Sequence, residues 1–210
     1  MSQYGNMTLD QYRDALASDA PTPGGGTAAA VALSQGAALA VMVCNLTEGN
    51  EKWKNGWSDA HACRIVATPL LELGHQLASD DAEAFDGVMS AYKLPKNTEE
   101  EVGIRRLAIQ NSTLDAARVP MSTANNAYEL LELLPPLARN GNANAVTDVG
   151  VAGLLVSAAC KGALFNVEIN INSLSDEIGG NLRSQLEKLR RSCRDASREV
   201  MRSVHDRMQS

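Results

Sequence analysis

The chain has 210 residues, of which 44% are apolar and only 4% aromatic, and it carries a net charge of −6 at pH 7. This length corresponds to one domain or at most two, and the apolar fraction is sufficient for a substantial core. The acidic net charge argues against a general nucleic-acid-binding protein, because such proteins depend on basic patches that neutralise phosphates.

The first half of the chain has the periodicity of helices. A short helix is predicted over residues 8–17, and residues 27–46 are predicted to form a helix that is apolar on nearly all sides. Such a helix is typical of the centre of a bundle or of a subunit interface. Polar residues interrupt its apolar run and no basic residues flank it, which favours a buried helix of a soluble protein over a membrane span.

A polar loop over residues 47–57 is predicted to lead into a long helix over residues 59–92. Pro69 is expected to kink that helix or to mark an irregular start, because proline lacks the N–H group that a helix interior requires. Thr98 has the properties of an N-cap, and the three glutamates after it suit the positive end of the next helix.

The second half is predicted to contain four helices, with prolines at two of their boundaries. They cover residues 98–119, residues 120–134 up to a Pro-Pro pair, residues 145–171 and residues 177–208. No repeat or linker divides the chain. We therefore expect one all-α domain over residues 1–210, a bundle of about seven helices built around long Ala-rich central helices.

Four cysteines are distributed along the chain without a Cys-x-x-Cys pair: Cys44, Cys63, Cys160 and Cys193. Their spacing predicts neither a structural zinc site nor a disulfide framework, and it favours a reducing, cytoplasmic location. The sequence therefore predicts no metal site. In addition, the polar residues 1–10 lack the apolar segment of a signal peptide.

Three consecutive glycines, Gly24, Gly25 and Gly26, precede the Ala-rich helix that begins at Thr27. Glycine allows the backbone to come close to a ligand, and a helix N-terminus presents unpaired N–H groups and the positive end of the helix dipole. The segment is a candidate site for an anionic or carbonyl-bearing group, although a flexible turn before a buried helix has the same pattern. It matches neither a Walker loop nor a dinucleotide-binding motif.

Asp81 is the acidic residue whose position is most unusual for a surface carboxylate. It lies four residues after Leu77 and four before Phe85, so the helical repeat places it on the apolar face. A carboxylate in that position must be paired, hydrogen-bonded or raised in pKa. Asp81 is therefore a candidate general base or cation stabiliser, and an acid at the rim of the core with a basic partner is the alternative.

Further polar residues occur where helices start or end. Lys96 follows a proline, which gives it a defined position from which it could bind a carboxylate, although a solvated loop lysine has the same pattern. Asn142, Asn144 and Asp148 lie in a glycine-containing loop and could cap a helix or bind a ligand. Asn166 lies on a largely apolar helix, where a buried amide needs a partner.

Taken together, these segments resemble the cyclodeaminase/cyclohydrolase family of folate enzymes in order and spacing from about residue 8 to residue 172. The matching segments are Pro23–Ala30, Met42–Thr47, Asp81–Asp86, Tyr92–Glu100, Val119–Pro120, Gly141–Asn142, Asp148–Ala152 and Phe165–Val167. The loop after Thr47 is less basic than in relatives, which leaves Lys52 and Lys54 as the residues available there for a folate glutamate tail.

The resemblance implies an all-α homodimer with a folate site between helices and without a metal or redox cofactor. It implies a folate substrate, whose polyglutamate forms are left open, and no nucleic-acid or membrane partner. The implied catalytic residues are Asp81, Lys96 and Asp148. The implied folate-binding residues are Gly24, Gly25, Gly26, Thr27, Asn45, Asn142, Asn144 and Asn166.

The segment Cys44–Thr47 resembles the stand-alone cyclohydrolases of this family, and the 210 residues contain no transferase domain. The expected reaction is therefore hydrolysis of 5,10-methenyltetrahydrofolate to 10-formyltetrahydrofolate. Two alternatives remain at this point. One is a cyclodeaminase that closes the methenyl bridge by expelling ammonia from a formimino group, and the other is a helical folate-binding module without catalysis.

Overall fold

The computed structural model describes residues 4–209, and the residues within this range form six α-helices and no strand. The helices are α1 (Leu9–Leu16), α2 (Gly25–Glu48), α3 (Trp57–Tyr92), α4 (Glu99–Asn140), α5 (Val146–Ile171) and α6 (Asp176–Gln209). Short 3-10 turns cover Tyr4–Asn6, Glu51–Gly56 and Ala143–Ala145. The predicted all-α class is confirmed.

Helix α4 is where the sequence-based prediction of seven helices is wrong. The structure has one continuous helix from Glu99 to Asn140, although it contains Pro120, Pro135 and Pro136. Pro120 and Pro135 are buried, so packing against neighbouring helices outweighs the loss of their backbone N–H bonds. Pro69 likewise lies within α3, which begins well before it at Trp57.

The predicted capping of α4 is confirmed. Thr98 Oγ1 accepts a hydrogen bond from the backbone N–H of Glu101 at 3.2 Å, and the Glu101 carboxylate accepts one in return from the N–H of Thr98. This reciprocal arrangement is a capping box, which satisfies backbone donors that have no partner within the helix. The start of α4 is thus specified locally.

Helices α2 to α5 form a ring in which each contacts its neighbours in chain order and α5 returns to α2. Helix α6 packs against α4 and α5. Small residues let the backbones approach closely: a Cβ added to Gly74 of α3 would lie 2.8 Å from the Ala30 carbonyl oxygen of α2. The buried face of α2 is formed by small and branched apolar residues, among them Ala30, Leu33 and Ala37.

Helix α2 and the segment Ala143–Ile171 are each long and apolar enough to cross a membrane by length and composition alone. In both, 56% of the most apolar window is buried within the bundle. A core helix of a soluble protein has the same properties, so the burial accounts for this composition without a membrane.

The cysteines that are far apart in sequence meet in two pairs across helix contacts. Cys44 of α2 neighbours Cys63 of α3, and Cys160 of α5 neighbours Cys193 of α6. All four are buried free thiols. The hydrogen bond with Cys44, together with burial, raises the pKa of the Cys63 thiol, so this thiol stays protonated and behaves as a small core residue.

Candidate active site: a cleft at the N-terminal end of helix α2

The Asp81 carboxylate of α3 lies directly against the first turn of α2. The Thr27 hydroxyl donates a hydrogen bond to Asp81 Oδ2 at 3.1 Å. A Cβ added to Gly26 would lie 2.2 Å from Asp81 Oδ1, much closer than any real contact. Glycine at position 26 is therefore required by close approach: the carboxylate occupies the space that any other side chain would need.

The start of α2 also provides electrostatic stabilisation for this carboxylate. A backbone hydrogen bond from Thr27 reaches Asp81, in addition to the side-chain bond. The first N–H groups of a helix have no partner within the helix, and the positive end of the helix dipole favours a negative charge there. The carboxylate is therefore held in one orientation by both donors of Thr27.

Burial raises the pKa of Asp81 above its ordinary value, and the hydrogen bonds from Thr27 oppose part of this rise. Desolvation is the larger effect because no cation is hydrogen-bonded to the carboxylate within the described residues. A carboxylate with a raised pKa is a stronger base than a solvated one. This is the property expected of a general base in an active site.

The carboxylate faces a cleft of about 320 Å³ between α2, α3, α4 and α5. Its lining combines the glycines of the α2 start with apolar and amide side chains: Pro21, Thr22, Gly24, Gly25, Gly26, Asp81, Phe85, Val88, Ala116, Asn166, Ile169 and Asn170. Such a mixture of apolar walls and a few convergent polar groups is typical of a small-molecule site.

Two amides of α5 supply hydrogen-bond acceptors to the cleft. Asn166 Nδ2 donates to the Gly162 carbonyl, and Asn170 Nδ2 donates to the carbonyls of Ala116 and Asn166, each at 2.9 Å. These bonds fix the amide nitrogens. Within residues 4–209 neither Oδ1 accepts a hydrogen bond from the protein, so both oxygens remain available to N–H donors of a ligand.

The structure brings together Gly24, Gly25, Gly26, Thr27, Asp81 and Asn166 from the residues that the sequence predicted. The Leu77 side chain is buried on the same face of α3, as the periodicity predicts. The neighbouring Asp80 instead accepts a hydrogen bond from Gln76 on the exposed side.

The other predicted site residues do not line this cleft in the same chain. Asn142 donates its backbone N–H to Thr47 Oγ1 at 3.0 Å and its side chain to the Leu46 carbonyl at 3.2 Å. These contacts tie the α4–α5 connection to the C-terminal end of α2, about 30 Å from Gly26 at 1.5 Å per residue. Asn45, Asn144 and Asp148 belong to this opposite end of the bundle.

Lys96 lies in the exposed turn between α3 and α4, beyond the end of the cleft. It borders a shallow depression formed by the start of α4, together with Val102 and Arg106. Lys52 and Lys54 lie elsewhere, just after the C-terminal end of α2. Their ammonium groups stack over Trp53 and Trp57.

Phe85, Val88, Ile169 and Asn170 line the cleft but were not among the predicted site residues. A local signal existed for two of them, because Phe85 follows Asp81 and Asn170 follows Asn166 by one helical turn. Within the described residues no group of three or more His, Cys, Asp or Glu side chains could hold a metal ion.

Comparison with known proteins places these features in a family. A family model described as formiminotransferase-cyclodeaminase matches residues 8–188. Methenyltetrahydrofolate cyclohydrolase of Methylorubrum extorquens is 42% identical over 172 residues, which cover 82% of this chain and 83% of that protein. Formimidoyltransferase-cyclodeaminase of Rattus norvegicus is 36% identical over 74% of this chain, but the match spans only 29% of that longer protein.

Among solved structures, formiminotetrahydrofolate cyclodeaminase of Thermotoga maritima superimposes with a TM-score of 0.85. The match covers 97% of this chain and 98% of that one at 29% sequence identity. The family-model match, the sequence identities and the structural match all indicate the same family. The chain therefore belongs to the formiminotransferase-cyclodeaminase family.

Proposed function

We propose that the chain is a methenyltetrahydrofolate cyclohydrolase, which hydrolyses 5,10-methenyltetrahydrofolate to 10-formyltetrahydrofolate. The 42% identity with a cyclohydrolase, extending over most of both chains, supports this reaction over others in the family. The observation that carries the chemistry is the half-buried carboxylate of Asp81, which is held against the α2 N-terminus and faces the cleft.

The substrate carries a positive charge shared between two nitrogens and the bridging carbon. We propose that the Asp81 carboxylate attracts this cation and accepts a proton from water as the oxygen attacks the carbon. The bond from that carbon to N5 then breaks, the new hydroxyl loses its proton as the formyl C=O forms, and N5 gains one. The net reaction consumes one water and releases one proton.

The remaining cleft residues have positioning roles in this proposal. The Oδ1 atoms of Asn166 and Asn170 accept hydrogen bonds from the pteridine, and the backbone of Gly24 and Gly25 allows close approach of the ligand. The reaction needs no metal or redox cofactor, because the carbon that water attacks is already cationic. The four buried free thiols are consistent with a cytoplasmic location, which we also propose.

The cyclodeaminase reaction is a second candidate, and the close structural match to the Thermotoga maritima enzyme favours it. The same carboxylate would then transfer a proton to the departing ammonia. Two assays on the purified protein separate the candidates: loss of the near-ultraviolet absorbance of methenyltetrahydrofolate, and ammonia release from formiminotetrahydrofolate. Binding without either activity would instead indicate the non-catalytic folate-binding module.

We propose that two copies associate through the α2–α5 apolar face, defined by Met42, Leu46, Val151 and Leu154. These large apolar side chains are between 38% and 58% exposed, and they lie on two helices that pack against each other. Contiguous exposed apolar residues of this kind mark protein interfaces. Lys96 and the Asn142–Asp148 loop lie outside their own chain's cleft, so any catalytic role for them requires a second copy.

A further inference from the structure

The Asp81 cleft contains no counter-charge for the acidic end of a folate. Asp81 is the single charged side chain in its lining, and it is an acid. A folate carries carboxylates on a glutamate that is joined to the pteridine through a p-aminobenzoyl ring. If the pteridine binds beside Asp81, these carboxylates must therefore be bound outside the cleft.

A basic groove of about 440 Å³ lies on the adjacent side of α5, between α5 and α6, and is called here the α5–α6 groove. Its lining contains four cations, one acid and two apolar side chains: Lys161, Arg190, Arg191, Arg194, Glu187, Leu164 and Phe165. The chain as a whole has a net charge of −6, so the positive charge of this groove is opposite in sign to that of the whole chain. Clefts of one charge sign concentrate ligands of the opposite sign.

Not all of these cations are neutralised by the protein. Arg190 forms ion pairs with Glu187 at 2.9 Å and with Glu168 at 2.8 Å. Among residues 4–209, the ion pair of Arg194 is with its sequence neighbour Asp195, at 3.3 Å. Among the described residues, Lys161 and Arg191 form no ion pair with a carboxylate within 4.0 Å. The groove therefore retains an excess of positive charge.

An exposed apolar ridge joins the two sites. Ile169 lines the Asp81 cleft and Phe165 lines the α5–α6 groove. They are one helical turn apart on α5, so their side chains are adjacent, and they are 69% and 68% exposed. Lys161 precedes Phe165 by one more helical turn. Each of these four-residue intervals spans about 6 Å along the helix axis, at 1.5 Å per residue. Pteridine site, apolar ridge and cationic groove thus follow one another along α5.

We propose that the α5–α6 groove binds the p-aminobenzoyl-glutamate part of the substrate, with the aromatic ring over Ile169 and Phe165 and the carboxylates at Lys161, Arg191 and Arg194. Arginine suits this role because its planar guanidinium forms paired hydrogen bonds with carboxylates. A tail of several γ-linked glutamates would meet more of these cations than a single glutamate. This inference rests on the proposed folate-handling function, because it assigns the second half of the same ligand.

The test compares mono- and triglutamate forms of methenyltetrahydrofolate with the wild type and with the double variant Arg191→Gln/Arg194→Gln. We expect the wild type to have the lower KM for the triglutamate. The double variant should raise that KM at least about tenfold and lose the preference between the two forms, as follows from losing charge-assisted contacts. The matched control is Lys188→Gln, which removes an exposed α6 charge outside the groove and should leave both KM values unchanged.

A second measurement does not depend on turnover. Calorimetric titration with p-aminobenzoyl-triglutamate, which lacks the pteridine, should show binding to the wild type that weakens with added salt and with the double variant. Equal KM values for the two substrate forms, together with unchanged titrations, would overturn the groove assignment while leaving the cyclohydrolase proposal intact. If the protein bound p-aminobenzoyl-triglutamate as expected but hydrolysed no methenyltetrahydrofolate, the groove assignment would stand and the cyclohydrolase proposal would be overturned. A double variant that changes the oligomeric state but not the ligand affinity would also overturn it.

Discussion

The contact between Gly26 and Asp81 makes Gly26→Ala the sharpest test of the site. The added methyl carbon would lie 2.2 Å from Asp81 Oδ1 and 2.6 Å from both Cγ and Oδ2. Ordinary contacts are about 3.5 Å or longer. The carboxylate must therefore move by more than about 1 Å, which takes it away from the cleft position set by the Thr27 hydroxyl.

The expected loss of activity is large because a general base contributes about 10²–10⁴-fold, and a displacement of about 1 Å costs on the order of 10²-fold. We expect kcat for methenyltetrahydrofolate hydrolysis to fall by about 10²-fold, measured as loss of substrate absorbance. The cost in stability should be small. Overpacking costs about 1–3 kcal/mol, and alanine recovers up to about 1 kcal/mol over glycine within a helix.

The matched control is Gly87→Ala in helix α3, outside the cleft lining. A Cβ added at this position would meet nothing within 4 Å. This variant should keep kcat within a few fold of the wild type, so a change in helix propensity alone cannot explain a loss seen for Gly26→Ala. If Gly26→Ala folded normally and retained most of its kcat, the position of the Asp81 carboxylate would not matter for turnover, and the proposed mechanism would be wrong.

Three further predictions follow from the same geometry. Asp81→Asn should remove most turnover, but its unfolding temperature at pH 7 should exceed that of the wild type. Burial raises the pKa of Asp81, so the stability that its protonated form contributes is lost as pH rises through the folded-state pKa. Wild-type stability equal to that of Asp81→Asn at every pH would contradict this burial argument. Thr27→Val removes a donor that lowers the pKa of Asp81, so the acid limb of the kcat/KM profile should move to higher pH, whereas Thr27→Ser should keep the wild-type limb. Leu154→Lys should convert a dimer into monomers in light scattering after size-exclusion chromatography, and dimers that persist would argue against the α2–α5 apolar face.

The sequence was sufficient for features that depend on neighbours along the chain. The apolar periodicity of residues 27–46 and 145–171 predicted α2 and α5, and the Thr98–Glu101 pattern predicted the start of α4. The spacing of Leu77, Asp81 and Phe85 also placed a carboxylate on the apolar face of α3. These are interactions over one to three helical turns, which the order of residues fixes directly.

Tertiary packing decided what local patterns could not. The prolines of α4 indicated two helix boundaries, but burial of Pro120 and Pro135 against neighbouring helices keeps the helix continuous. The Asn142–Asp148 loop and the glycine triplet looked like parts of one site. They lie at opposite ends of α2 because α5 runs antiparallel to it, so the start of α5 meets the end of α2.

The bond between Thr27 and Asp81 joins residues 54 positions apart. Its geometry depends on how closely α2 and α3 pack, and glycine at position 26 is what permits that approach. The sequence thus indicated the family, helices α2 and α5 and a carboxylate on the apolar face of α3. The packing of α2 against α3 and α5 determined which polar residues share a cleft with that carboxylate.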